Sequence, residues 1–160
     1  MPHHPLRSPD WIDSAPTVVE ATEVIEAPPE AVWAHVVDHE AWPEWFTELD
    51  RVEPAGHPTS VGGGRRVTLG GLTLVEELTA LEPAERFAFC VVRSPIPVLD
   101  SLAERVDLEA IGDGACRVTY RQGVAGRPGC ARLVGALWRR ASGDALPRAL
   151  GRLKARAEAG

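Results

Sequence analysis

The sequence predicts one α+β domain, a curved antiparallel sheet closed by a long C-terminal helix, with an apolar pocket between them. Three observations lead there. The middle of the chain is a run of short segments of strand composition, each bounded by Gly, Pro or Asp. Where the two faces of these segments can be separated, one is apolar and the other charged, so the sheet has one side to bury. Only the C-terminal segment carries a helical stripe long enough to cover that side.

In chain order, residues 1–16 contain Pro2, Pro5, Pro9 and Pro16 with few apolar positions. They are expected to form a flexible arm ahead of a domain at 17–160. Trp11 and Ile12 are the side chains able to pin that arm to the body. Residues 17–27 are rich in β-branched side chains and read as a first strand. Pro28 and Pro29 stop it. A proline opening a helix gives up no needed hydrogen bond, and Val32, Trp33, Val36 and Val37 then recur at helical spacing. After Asp38-His39, the residues Trp42, Trp45, Phe46 and Leu49 form a second short stripe. Val32, Trp33, Trp42, Trp45 and Phe46 are expected to seed the core at one end of the sheet.

Strands are expected at 65–70, 72–81, 86–93, 103–110 and 116–122. The clearest turn is Gly112-Asp113-Gly114, whose residues tolerate positive φ. Around it Val106, Leu108 and Ala110 alternate with Arg105, Asp107 and Glu109. Cys116, Val118 and Tyr120 alternate in the same way with Arg117, Thr119 and Arg121. Beyond Arg127-Pro128-Gly129 runs the long helical stripe of Leu133, Val134, Leu137, Trp138 and Ala141, continued by Leu146, Leu150, Leu153 and Ala157. Pro147 removes one helical hydrogen bond at about 3 kcal/mol. A kink or short break is therefore expected at 143–147, with Asp144 capping the second half.

Composition narrows the function. With 160 residues, 44% hydrophobic and 25% charged, the chain suits one domain with a sizeable core. Its net charge of −6 gives no reason to expect nucleic acid as a partner. The C-terminal segment 130–160 is nevertheless net +5, which suits either a solvated helix face or a docking face for an acidic partner. Cys90, Cys116 and Cys130 are too few and too scattered for a disulfide framework or zinc knuckle, which points to a reducing, cytoplasmic setting. No run reaches the roughly 18 apolar residues of a membrane span, and residues 1–16 lack the apolar core of a signal peptide.

The stretch Glu26-Ala-Pro-Pro-Glu-Ala-Val-Trp33, followed by Asp38 and Trp42-Pro43-Glu44-Trp45, resembles the opening of the START-like (SRPBCC) superfamily, in particular its polyketide cyclase/dehydrase-like branch. The Leu102-Ala103-Glu104-Arg105 segment, the Gly112-Asp113-Gly114 hairpin and the amphipathic terminal helix agree with it in order and spacing, over about residues 17–158. The resemblance implies a helix-grip fold with a deep hydrophobic cavity. Members bind lipids, polyketides, plant hormones or other apolar molecules, and some are aromatase/cyclases while others are carriers. Fold alone narrows function to binding something apolar.

On that basis the cavity-lining candidates are Phe87, Phe89, Val91, Val106, Leu108, Val118 and Tyr120 from the strands, with Leu133, Val134, Leu137 and Trp138 from the helix. A solid core would have the same composition. Tyr120, the only tyrosine, is either a core phenol satisfied by backbone or a group that orients a ligand carbonyl. One of Arg65 and Arg66 must face the concave side of a regular strand, and Arg66 and Arg93 are candidates for polarising a carbonyl. His35 and His39 have the spacing of two metal ligands on a helix but no evident third, so no metal and no cofactor are expected. The Gly62-Gly63-Gly64 run lacks a phosphate-loop ending. Expected, then, is a binding protein for a small hydrophobic molecule. The alternatives are a cyclase acting on a poly-β-ketone, with Tyr120 and an arginine on its carbonyls, and an interaction module with a filled core. A homodimer stays open.

Overall fold

A computed structural model describes residues 1–160. Seven strands form one antiparallel sheet in the order β1-β7-β6-β5-β4-β3-β2. They are β1 (Thr17–Ile25), β2 (Arg51–Ala55), β3 (Gly64–Leu69), β4 (Leu72–Glu82), β5 (Arg86–Arg93), β6 (Leu99–Ile111) and β7 (Ala115–Gly126). Two short helices, α1 (Pro29–Val36) and α2 (Trp42–Trp45), link β1 to β2 across the whole width of the sheet. The long helix α3 (Ala131–Glu158) lies along β1 and β7 and meets α1 and α2. This is the curved sheet and terminal helix that the sequence predicts.

Two strands are longer than expected, and one was missed. Pairing of β6 with β7 runs from Ile111↔Ala115 to Leu99↔Gly126, past the residues with clear alternation. Glycines 123 and 126 hide that extension, since they carry no side chain to alternate. β2 contains Pro54 and sits at the sheet edge, where a strand tolerates a missing donor.

The main core lies between the sheet and the three helices. Val32, Val36, Trp42, Trp45 and Phe46 meet Phe87, Val106, Val118 and the α3 residues Leu146, Leu150 and Leu153 there. Trp33, expected at its centre, is only half-buried and touches Phe87 edge-on. Trp42 takes that place: its indole nitrogen donates to the Val36 carbonyl at 2.8 Å, and its ring meets those of Trp45, Phe87, Phe89 and Tyr120.

Two expectations fail. Of the kink or short break expected at 143–147 the break is absent, since α3 is helical throughout, and Asp144 is an interior helical residue rather than a cap. Gly143 and Pro147 both lie on the exposed face, where water can take the orphaned carbonyl. The buried stripe of Leu146, Ala149, Leu150 and Leu153 offsets the lost bond. The segment 1–16 is also no free arm. The His4 amide donates to the Val92 carbonyl at 2.9 Å, and a 3-10 turn at Pro9–Ser14 puts Ile12, fully buried, against Cys90 and Ala103 on the outer face of the sheet. Gly123 makes the seat: a Cβ there would come within 2.9 Å of the Ile12 Cα. The outer face expected to be solvated is thus partly covered, and Arg105 is buried under Asp13 and the Pro9 carbonyl.

Candidate functional site

Four strands each carry polar residues at positions whose neighbours two along are apolar. In β3 Arg65 shares a face with Val67 and Leu69, and in β4 Glu76 lies between Leu74 and Leu78. In β6 Glu104 lies between Leu102 and Val106, and in β7 Tyr120 and Gln122 lie between Val118 and Val124. Strand alternation therefore aims all five inward, and all five are buried. Antiparallel register then pairs them: Arg65 is opposite Glu76, and Glu104 is opposite Gln122.

The bonds follow the register. Arg65 Nε donates to Glu76 Oε2 at 2.6 Å, and the guanidinium lies 4.0 Å over the Trp42 ring and 4.3 Å from that of Phe89. Gln122 Nε2 donates to Glu104, and the indole nitrogen of Trp138 donates to Gln122 Oε1 at 2.9 Å. The buried Nη1 of Arg65 has no partner. Burial pushes the Glu76 carboxyl up, and the adjacent Arg65 charge opposes it. Glu104 is pushed up to about 8, first by burial and then by the charge of Glu76. The Tyr120 phenol is held well above its ordinary value by burial and by Glu104. The cluster thus sets the Arg65–Glu76 pair beside a second carboxyl that keeps its proton up to about 8.

These groups line one side of a cavity of about 740 Å³ between the sheet and α3. Trp42, Phe46, Val67, Leu74, Phe89 and Leu102 supply apolar wall. Leu137, Arg140, Asp144 and Arg148 also line it but are solvent-exposed, which sets the opening between α3 and the turn at Glu48-Leu49.

Of the sequence-predicted lining residues, Phe89, Tyr120, Leu137 and Trp138 border this cavity. Phe87, Val106, Leu108 and Val118 belong instead to the solid core beside α1 and α2. Val91 and Val134 pack in a smaller cluster with Leu99, Leu102 and Val124. Leu133 is 59% exposed and lines nothing, because its helical position turns it outward. Arg66 and Arg93 are exposed too; the inward arginine is Arg65, one residue out of phase with Arg66. His39 Nε2 donates to the Pro58 carbonyl at 2.7 Å, which gives that ring a structural task. Sequence reasoning missed Glu76, Glu104 and Gln122. The signal was present as single polar residues interrupting an apolar phase, masked by the charges of Arg105 and Asp107 on the opposite one.

Residues 16–158 match the sequence model of the family described as polyketide cyclase / dehydrase and lipid transport. An uncharacterized protein of Mycobacterium tuberculosis is 30% identical over 112 residues; the match covers 69% of this chain and 66%, just under two thirds, of the relative. Among solved structures, a START superfamily protein from Mycobacterium smegmatis superposes with a TM-score of 0.69 at 16% identity, over 88% of this chain and 97% of that one. The Zhui aromatase/cyclase of a Streptomyces species gives 0.71 at 16% identity, over 88% and 93%. At those identities the two structures establish the shared fold.

Proposed function

The chain belongs to the polyketide cyclase / dehydrase and lipid transport family, and from that premise we propose that it binds a small hydrophobic molecule in the cavity between the sheet and α3. The observation that carries the reading is the cavity itself. Its volume of about 740 Å³ lies within the roughly 300–1,000 Å³ of small-molecule sites, and its apolar wall surrounds a few convergent polar groups. A filled core would leave no such space, so the cavity favours binding over the interaction-module alternative. Three free cysteines, two of them buried, fit the reducing cytoplasm as its setting.

The test uses Nile red, a neutral apolar dye. The parent protein should bind it with enhanced emission, and Ala141→Trp should weaken binding at least tenfold. Ala141 is exposed and lines the opening, so a large ring there obstructs access without entering the core. Unchanged dye affinity in a variant that melts like the parent removes the reading.

One observation also favours the cyclase alternative. Carbonyl chemistry needs several polar groups near one point, and Arg65, Glu104 and Tyr120 border the same cavity. A neutral carboxylic acid and an arginine donor are suited to polarising a ketone toward its enol. Turnover of a β-diketone mimic would separate catalysis from binding alone.

A further inference from the structure

We infer that residues 2–7 plug a gap in the sheet between β5 and β6, and that mild acid withdraws the plug and opens a second way to the cavity. The plug stands on the geometry of the sheet, and the opening rests in addition on the binding reading above. Register makes the gap. β5 and β6 pair from Arg86↔Asp107 only as far as Cys90↔Ala103. Beyond that point β5 stays on β4 as far as Val75↔Arg93, while β6 stays on β7 as far as Leu99↔Gly126. The sheet therefore forks, with 91–93 on one arm and 99–102 on the other.

Residues 2–7 enter the fork. The Ser94 amide donates to the Pro2 carbonyl at 3.2 Å, the His4 amide donates to the Val92 carbonyl at 2.9 Å, and His3 sits opposite Arg93. These backbone bonds all go to β5. Toward β6 the ties are side chains: His4 Nδ1 donates to the Asp100 carbonyl at 3.1 Å, and Arg7 Nε donates to Ser101 Oγ at 2.9 Å. Val91, Leu99 and Leu102 pack together on the inner side, and Leu102 is itself part of the cavity wall.

His4 makes the tie depend on pH. A carbonyl oxygen can only accept, so Nδ1 carries the ring proton, and Nε2 is a bare acceptor that takes the Ser94 hydroxyl at 2.7 Å. Both residues are buried. A second proton turns Nε2 into a donor aimed at that hydroxyl and leaves a cation sheltered from water. The charged groups on the surrounding elements are His3 and Arg7 of the segment itself, Arg93 on β5, Asp100 on β6 and Arg127 beyond β7. Asp100 is the one acid among them, and its carboxylate accepts from Arg7 and Ser101. Burial above all holds the His4 ring below its ordinary value of 6.5, and Arg127 acts in the same direction. The released ring takes its proton near 6.5 and the docked ring only below it. Docking is therefore favoured in full above that value and weakens as pH falls through it.

Hydrogen exchange followed by NMR tests the plug, because the His4 and Ser94 amides make two of its bonds. Between pH 7.5 and 5 their protection over the free-chain rate should fall by about fivefold or more, in step with titration of the His4 ring. Amides in the middle of β6 and β7 should hold theirs. His4→Gln should abolish the pH dependence, which also separates His4 from His39, the other buried imidazole. Release of Nile red, neutral over this range, tests the opening: it should quicken about threefold or more at pH 5 in the parent and stay constant in His4→Gln. If the variant leaves the plug undocked at both pH values, the parent decides by whether its loss of protection follows the His4 titration. Protection unchanged at pH 5, or lost out of step with His4, overturns the inference. So does dye release that stays constant while the plug withdraws, and in that case the binding reading survives. No Nile red binding to the parent removes that reading and the opening with it, and exchange still decides the plug.

Discussion

Glu104 shows how much a single residue's meaning depends on its neighbours. On its own strand it is a carboxylate out of phase, and between β3, β4 and β7 it becomes a neutral acid. Its raised pKa sets a sign for stability. The unfolded chain releases this proton near the ordinary carboxylate value, while the fold retains it up to about 8. Its stabilising contribution is therefore complete in mild acid, falls as pH rises through that window and is lost above it. Urea unfolding at pH 5, 7 and 9 should show the parent losing stability relative to Glu104→Gln, whose amide carries no such proton. Parallel pH profiles for the two proteins would place Glu104 as an ordinary ionised carboxylate. Arg65 is the complementary case. Its cation sits between Trp42 and Phe89 with its charge on Glu76, so breaking the pair from one side leaves a buried charge uncompensated.

At the scale of elements, the N-terminal segment behaves as an extra layer on the sheet. Ile12 is fully buried where Gly123 leaves room, Arg7 Nε donates to Ser101 Oγ at 2.9 Å, and His4 bonds Ser94 and the Asp100 carbonyl. Asp13 binds Arg105 at 2.8 Å and also pairs with Arg121, and the Arg105 bond above all holds its carboxyl down to about 2. Ile12→Ala should cost about 2–5 kcal/mol, the range for a large-to-small change at a buried aliphatic. Deleting residues 1–14 should cost at least as much, because it also uncovers Arg105. A truncated protein with the parent's denaturation midpoint would return this segment to the free arm that its prolines suggested. The same scale accounts for α3. Its continuity through Pro147 depends on the buried stripe on one face, whereas Leu133 and Leu137, both 59% exposed, lie on the other.

For the molecule as a whole, the basic C-terminal helix is partly neutralised from within. Arg148 pairs with Glu48 and Arg156 with Glu44, so acids of the α2 region meet bases of α3, while Lys154 pairs with Glu158 one turn along the same helix. This internal pairing weakens the case for a basic face awaiting an acidic partner. The pairs are substantially exposed, and each such pair contributes only about 0–1 kcal/mol under screening. Raising salt from 50 to 500 mM should therefore lower the melting temperature by a few degrees at most. A fall of ten degrees or more would mean that charge, rather than the buried stripe of Leu146, Leu150 and Leu153, holds the helix to the sheet.

The sequence alone determined the architecture: β-branched runs bounded by turns, two short aromatic-bearing helices and one long terminal stripe. Those signals are local, since period and turn chemistry are written within a few residues of each other. The polar site was decided by tertiary structure. Arg65 and Glu76 lie eleven residues apart and Glu104 and Gln122 eighteen, and only strand register sets each opposite its partner. The same holds for the seat of Ile12 at Gly123, and for the division of predicted lining residues between the cavity and solid core. The reason lies in the cost of burying a charge or amide, which is prohibitive for an isolated residue and tolerable once its partner arrives across the sheet. No window along one strand contains that partner.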